Sequence, residues 1–164
     1  MNEAQIHLAL NHAPLFLSII GGGILITGMI RQNDLLKTVS LWLLAAGAVF
    51  ALPVYFTGDG TEELIEHLPG VNEGMIERHE EMAKISLIII GITGLSSITG
   101  LLLRKKAAAK IILVVTVILS LASFFTMAQT AHLGGQVRHS EIQGNSTIGD
   151  KERGDSSEQD NDDD

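Results

Sequence analysis

The stretch that decides the fold is residues 111–137, IILVVTVILSLASFFTMAQTAHLGGQV, which contain no Asp, Glu, Lys or Arg. A helix needs about 20 apolar residues to cross the hydrocarbon core of a bilayer. A soluble helix of this length would carry polar side chains on one face at every turn. Three more uncharged stretches of similar character lie at residues 4–30, 38–58 and 85–103. Because backbone in lipid must bond to itself, the sequence predicts an all-α, four-helix transmembrane bundle in the lipid bilayer.

Charge indicates how these spans are oriented. Between the first two spans lie Arg31 and Lys37, and between the last two lie four basic residues and no acid: Arg104, Lys105, Lys106 and Lys110. The positive-inside rule places both connections in the cytoplasm. Asp34 is the only one of the 19 acids found there. The prediction is therefore a multi-pass protein of the bacterial cytoplasmic (inner) membrane, with both termini on the outer, periplasmic side.

Glycines and prolines suggest where the helices begin and end. Pro14 suits the first turn of span one, where its missing N–H is not needed. Thr57 and Gly58 are expected to end span two, ahead of a short surface helix over residues 61–68. Gly134 and Gly135 are expected to end span four. The remaining polar, acidic segment predicts a division into a transmembrane domain, residues 1–142, and a disordered acidic tail, residues 143–164.

Several function classes are excluded or disfavoured by composition. The chain has no cysteine, which excludes disulfides, thiolate metal sites, iron–sulfur clusters and covalently attached c-type haem. The Gly21-Gly22-Gly23 run lies inside a lipid span, so a phosphate-binding loop is disfavoured. Neither a Ser–His–Asp arrangement nor a nucleic-acid-binding motif is identified. The sequence favours a non-enzymatic protein.

Histidines are the residues that could carry chemistry, and there are six: His7, His12, His67, His79, His132 and His139. On the topology above all six lie on the outer side. Four of them, His7, His12, His79 and His132, are at the outer ends of three different helices. His79 shares one side of its helix with apolar and small residues and should face the bundle. These neighbours are Met75, Ile76, Met82, Ala83 and Ser86.

Neutral imidazole ligates haem iron, zinc and copper. Two histidines on facing helices would suit haem b, for which His12 and His79 are the preferred axial pair and His139 or His132 the alternatives. Three histidines would suit zinc or copper, and His7, His12 and His79 are the candidate set. Two other interpretations stay open: hydrogen bonding to backbone or water at the interface, and a proton-linked role.

Two motifs resemble those of an uncharacterised bacterial family of four-span membrane proteins. The family begins with an IHPxxVHFP-like run, where this chain reads IHLALNHAP at residues 6–14. It ends with a GWxGGxxVxxHG-like run, where this chain reads AHLGGQVRH at residues 131–139. Leu8 and Ala13 replace a proline and a phenylalanine, and His132 replaces the tryptophan. The resemblance covers about residues 5–142 and implies a four-span fold in a redox setting, with haem binding.

These observations lead to one functional hypothesis and two rivals. The first is a haem- or metal-binding, redox-associated membrane subunit with a histidine site at its outer face and a redox partner protein on that side. The second is a small proton-linked transporter or channel, which four spans could form as a homo-oligomer. The third is a structural assembly subunit of a respiratory complex.

Overall fold

The computed structural model describes the backbone of residues 7, 9–65 and 73–154, and the side chains of residues 7, 9–58 and 74–136. The described backbone forms four long helices: α1 (Ala13–Ile30), α2 (Asp34–Ile65), α3 (Glu73–Leu102) and α4 (Ala109–Gly154). Each contains a segment long and apolar enough to span a membrane, and no strand occurs among these residues. The predicted all-α, four-span fold is confirmed.

The connection between α1 and α2 is short and locally determined. Gln32 adopts a positive φ of 52°. Asn33 then accepts the backbone N–H groups of Leu35 (3.0 Å) and Leu36 (3.1 Å) through Oδ1, which caps the start of α2. At the other hairpin, residues 103–108 connect α3 to α4. These two connections define what we call the basic end of the bundle, and the opposite end is the histidine end.

Two helices are longer than the sequence predicts. Helix α2 passes through Gly58 to Ile65, and α4 passes through Gly134 and Gly135 to Gly154. The predicted helix ends at these glycines were wrong, because a glycine weakens a helix by only about 1 kcal/mol relative to alanine. Residues 61–65 of the predicted surface helix belong to α2, and residues 66–68 lie outside the described chain.

The boundary between membrane domain and tail is not tested. The backbone is helical through residues 143–154, which belong to the predicted acidic tail, and residues 155–164 lie outside the described part of the chain. The division at residue 142 therefore stays a prediction. Residues 137–154 are described by their backbone alone.

The helices form a closed antiparallel bundle in which α1 packs on α2 and α4, and α3 packs on α2 and α4. Helices α1 and α3 are therefore diagonal. Gly22 of α1 lies against Ser120 of α4, whose Oγ would be 2.5 Å from a Cβ at that glycine. Small residues at such contacts let membrane helices approach closely. The contact also fixes the register between α1 and α4.

The interior is apolar at the basic end and rich in hydroxyl groups along the α3–α4 contact. Leu25, Leu41 and Leu44 form the buried apolar cluster. Three hydroxyl pairs join α3 to α4: Ser86–Thr130 (2.9 Å), Thr93–Ser123 (2.8 Å) and Ser96–Thr116 (2.7 Å). No buried side-chain nitrogen or oxygen of the described residues lacks a hydrogen-bond partner. The hydroxyl groups therefore act as interhelical hydrogen bonds within a packed bundle.

Candidate histidine site

His7 fastens the N-terminal turn to the end of α2. It begins a helical turn ahead of α1, in which its carbonyl accepts the Asn11 N–H at 2.8 Å. Its half-buried imidazole hydrogen-bonds through Nδ1 to the Val54 carbonyl at 2.9 Å. The ring also lies against Gly58, where a Cβ would be 3.1 Å from the imidazole Cε1. Gly58 is therefore a contact surface for this imidazole.

His79 fastens α3 to α4 in the same way. Its half-buried imidazole hydrogen-bonds through Nδ1 to the Thr130 carbonyl at 3.0 Å. A Cβ at Gly134 would be 3.0 Å from the imidazole Cε1 and 3.3 Å from Nδ1. The predicted orientation of His79 toward the bundle is confirmed. Glycine at residue 134 is explained by the ring that occupies the space of its side chain.

Both histidines thus use one repeated arrangement, which we call the histidine–glycine unit. In each unit the imidazole donates to a helix carbonyl and packs on the glycine four residues further along the same helix. Val54 precedes Gly58 by one turn, as Thr130 precedes Gly134. In an α-helix that glycine's own N–H points toward the same carbonyl, so ring and backbone share one acceptor. The two helical hairpins therefore repeat a specific side-chain contact.

The hydrogen bonds assign the tautomer of both rings. A carbonyl oxygen can only accept, so Nδ1 must carry the hydrogen in each imidazole. In the neutral ring, Nε2 then carries the lone pair. A bond from Nδ1–H to a backbone carbonyl is also the usual outer-shell support of a histidine that ligates a metal. Both rings are therefore held in the tautomer that can ligate through Nε2.

His7 and His79 also lie close to each other. A charge on His7 acts electrostatically on His79. One residue precedes α1 and the other lies in the second turn of α3, so they come from diagonal positions of the bundle. The site is therefore a pair of imidazoles at the histidine end, each fixed by a carbonyl of a different neighbouring helix.

The other predicted ligands are placed differently. His12 is exposed, hydrogen-bonds through Nδ1 to the Asn11 side chain, and stacks on Phe16 with ring centroids 6.3 Å apart. His132 is exposed, with Nε2 3.0 Å from the side-chain nitrogen of Gln136. The structure thus brings His7, rather than the predicted His12, near His79. The side chain of His139 and all of His67 lie outside the described residues.

The predicted three-histidine metal set is not brought together. Within residues 7, 9–58 and 74–136, no three histidine or carboxylate side chains lie close enough to hold a metal ion. His12 therefore does not complete a triad with His7 and His79. The nearby carboxylates do not supply a third ligand either, and Glu80 pairs with Lys84 at 2.5 Å.

Sequence reasoning identified His79 and missed the repeated unit. A signal was present, because each hairpin begins near a histidine and ends near a glycine. The separation from His79 to Gly134 exceeds that from His7 to Gly58 by four residues, about one helical turn. That offset marks equivalent positions on two hairpins of slightly different length.

Comparison with known proteins places the chain in a family. A family model described as "Predicted membrane protein (DUF2231)", a domain of unknown function, matches residues 3–145. The match spans nearly the whole chain apart from the acidic tail, and the chain belongs to this family. No curated protein and no solved structure matches the chain. The resemblance to an uncharacterised family of membrane proteins is confirmed.

Proposed function

We propose that this member of the DUF2231 family is a non-enzymatic membrane redox subunit that holds haem b between His7 and His79. One observation carries the proposal: two neighbouring imidazoles have Nδ1 bound to carbonyls of α2 and α4, which leaves both Nε2 atoms as ligand donors. Helical bundles commonly hold cofactors through side chains on facing helices. The role of the protein is to fix the two donors and to exclude water around them.

The donor set fits haem better than zinc or copper. Haem iron needs one or two axial ligands from the protein. Zinc sites use three or four protein ligands, and no group of three occurs among the described side chains. Without cysteine the haem would be held by coordination and packing alone, as in a b-type protein. When bound, haem would supply one-electron redox chemistry, with a potential tuned by these two imidazoles.

The basic connections give the proposal a direction. Arg31 and the cluster at residues 104–110 favour the cytoplasm for the basic end. The histidine end and both termini would then face the periplasm of a bacterial inner membrane. A single centre near one face does not by itself carry electrons across the bilayer. The chain would therefore exchange electrons with a redox partner protein on the outer side, as a single subunit or a homo-oligomer.

Asparagine at residue 79 separates ligation from structural hydrogen bonding. The amide nitrogen of asparagine takes about the position of imidazole Nδ1 and can still donate to the Thr130 carbonyl, but it has no equivalent of Nε2. The full chain would be purified from its native membrane, and reduced-minus-oxidised spectra recorded. We expect a b-type signal that His79→Asn abolishes without loss of helicity or detergent stability.

The matched control is His132→Asn, which alters an exposed histidine on α4 at the same end. It should keep the full spectrum. If the unaltered protein carries no haem signal after purification from native membranes, the haem proposal is wrong. Retention of the full signal by His79→Asn would contradict ligation through Nε2 and leave the histidine–glycine unit with its structural role.

A further inference from the structure

The basic end carries five exposed cations that no acid of the described residues neutralises: Arg31, Arg104, Lys105, Lys106 and Lys110. The sixth cation of this end, Lys37, pairs with Asp34 at 2.9 Å. The positive charge is therefore uncompensated on the α1 and α4 side and partly compensated at the start of α2. This asymmetry singles out the α1–α4 groove.

Helix register places two of the free cations on this groove. Gly22 and Ser120 are in contact across α1 and α4, which run antiparallel. Arg31 is as far along α1 from Gly22 as Ile111 is along α4 from Ser120. Arg31 therefore lies level with Ile111 and beside Lys110. The groove at the basic end is flanked by a guanidinium from one helix and an ammonium from the other.

Two of the most exposed large apolar side chains of the protein lie at the same level. Ile30 is 77% exposed and Ile111 is 69% exposed, and each adjoins one of the two cations in sequence. Because α1 and α4 are antiparallel, Ile30 and Ile111 stand on opposite walls of the groove. The groove thus combines paired positive charge at the membrane surface with apolar walls directly beneath it.

We propose that this groove binds one anionic phospholipid, with its phosphodiester between Arg31 and Lys110 and an acyl chain along Ile30 and Ile111. A guanidinium forms two parallel hydrogen bonds to a phosphate, and a lysine adds a point charge. Basic pockets between membrane helices are suited to anionic headgroups. A soluble phosphate would use the cations alone and leave the apolar walls uncovered. The site lies at the end opposite the histidines and is independent of the haem proposal.

The test is lipid binding to the full chain in detergent, measured by native mass spectrometry. Phosphatidylglycerol and phosphatidylcholine with identical acyl chains would be titrated separately. We expect a distinct preference for phosphatidylglycerol in the first bound lipid. Arg31→Gln and Lys110→Gln should each weaken phosphatidylglycerol binding about fivefold, equivalent to about 1 kcal/mol per basic residue, and leave phosphatidylcholine unchanged.

Three controls define the outcome. Arg31→Lys keeps the charge and should keep most of the preference. Arg78→Gln removes an exposed cation at the histidine end and should have no effect. Inorganic phosphate at millimolar concentration should not displace the lipid. Equal binding of the two lipids, an unchanged preference in the Arg31→Gln/Lys110→Gln double variant, or displacement by phosphate would overturn the proposal.

Discussion

Gly134 and Gly135 offer a stringent test of the histidine–glycine unit, because they are adjacent on one helix and differ in what surrounds them. A Cβ at Gly134 would be 3.0 Å from Cε1 of His79 and 3.3 Å from its Nδ1. A Cβ at Gly135 would meet nothing within 4 Å. Gly134→Ala should therefore push the imidazole away from the Thr130 carbonyl, while Gly135→Ala should not.

The expected difference follows from three contributions. Both alanines favour the helix over glycine by about 1 kcal/mol, so this gain cancels in the comparison. Only Gly134→Ala adds an overpacking cost, about 1–3 kcal/mol at well-packed positions. Weakening the 3.0 Å bond from His79 would add up to about 1 kcal/mol. Gly134→Ala should be less stable than Gly135→Ala by about 1–4 kcal/mol.

The assay is reversible unfolding of both variants in the same detergent or bicelle, followed by circular dichroism. Gly135→Ala should equal or exceed the unaltered protein in free energy of unfolding. Amide exchange should rise near Thr130 in Gly134→Ala alone. If the two variants unfold with the same free energy, the contact between the His79 ring and Gly134 does not restrict that position, and the reasoning fails.

Two further predictions concern the packing of α3. In a double-mutant cycle, Thr93→Val and Ser123→Ala should show a coupling of about 0.6 kcal/mol, the average for hydrogen bonds between membrane helices; additive effects would contradict the 2.8 Å pair. Gly94→Ala should lower thermal stability, because its Cβ would be 2.5 Å from the nearest neighbouring side-chain carbon, whereas Gly91→Ala meets nothing within 4 Å. Equal melting temperatures for these two variants would argue against the close α2–α3 contact.

The fold could be predicted because lipid imposes a simple requirement on the sequence. Uncharged stretches of sufficient length had to be helices, and all four are. The helix ends were harder, since Gly58 and Gly134 resemble terminators. Each lies within a helix because an imidazole occupies the space beside it. That reason depends on a contact distant in sequence, which local pattern does not reveal.

The site was only partly predictable for a similar reason. His79 lies in a long amphipathic segment, so its inward direction followed from helical spacing and is confirmed. His7 and His12 are five residues apart, which places them about 140° apart around a helix, so they could not both face the bundle. Nothing local indicated that His7 packs on α2 while His12 stays exposed. Packing between segments far apart in sequence made that choice.

The central claim is that His7 and His79 form one site and that His12 does not belong to it. The most direct measurement is the haem content per chain of His7→Asn and His12→Asn, purified from native membranes beside the unaltered protein. Asparagine at residue 7 can still donate to the Val54 carbonyl, so the fold is retained. We predict that His7→Asn loses haem and His12→Asn keeps it. Loss in His12→Asn with full retention in His7→Asn would contradict the account.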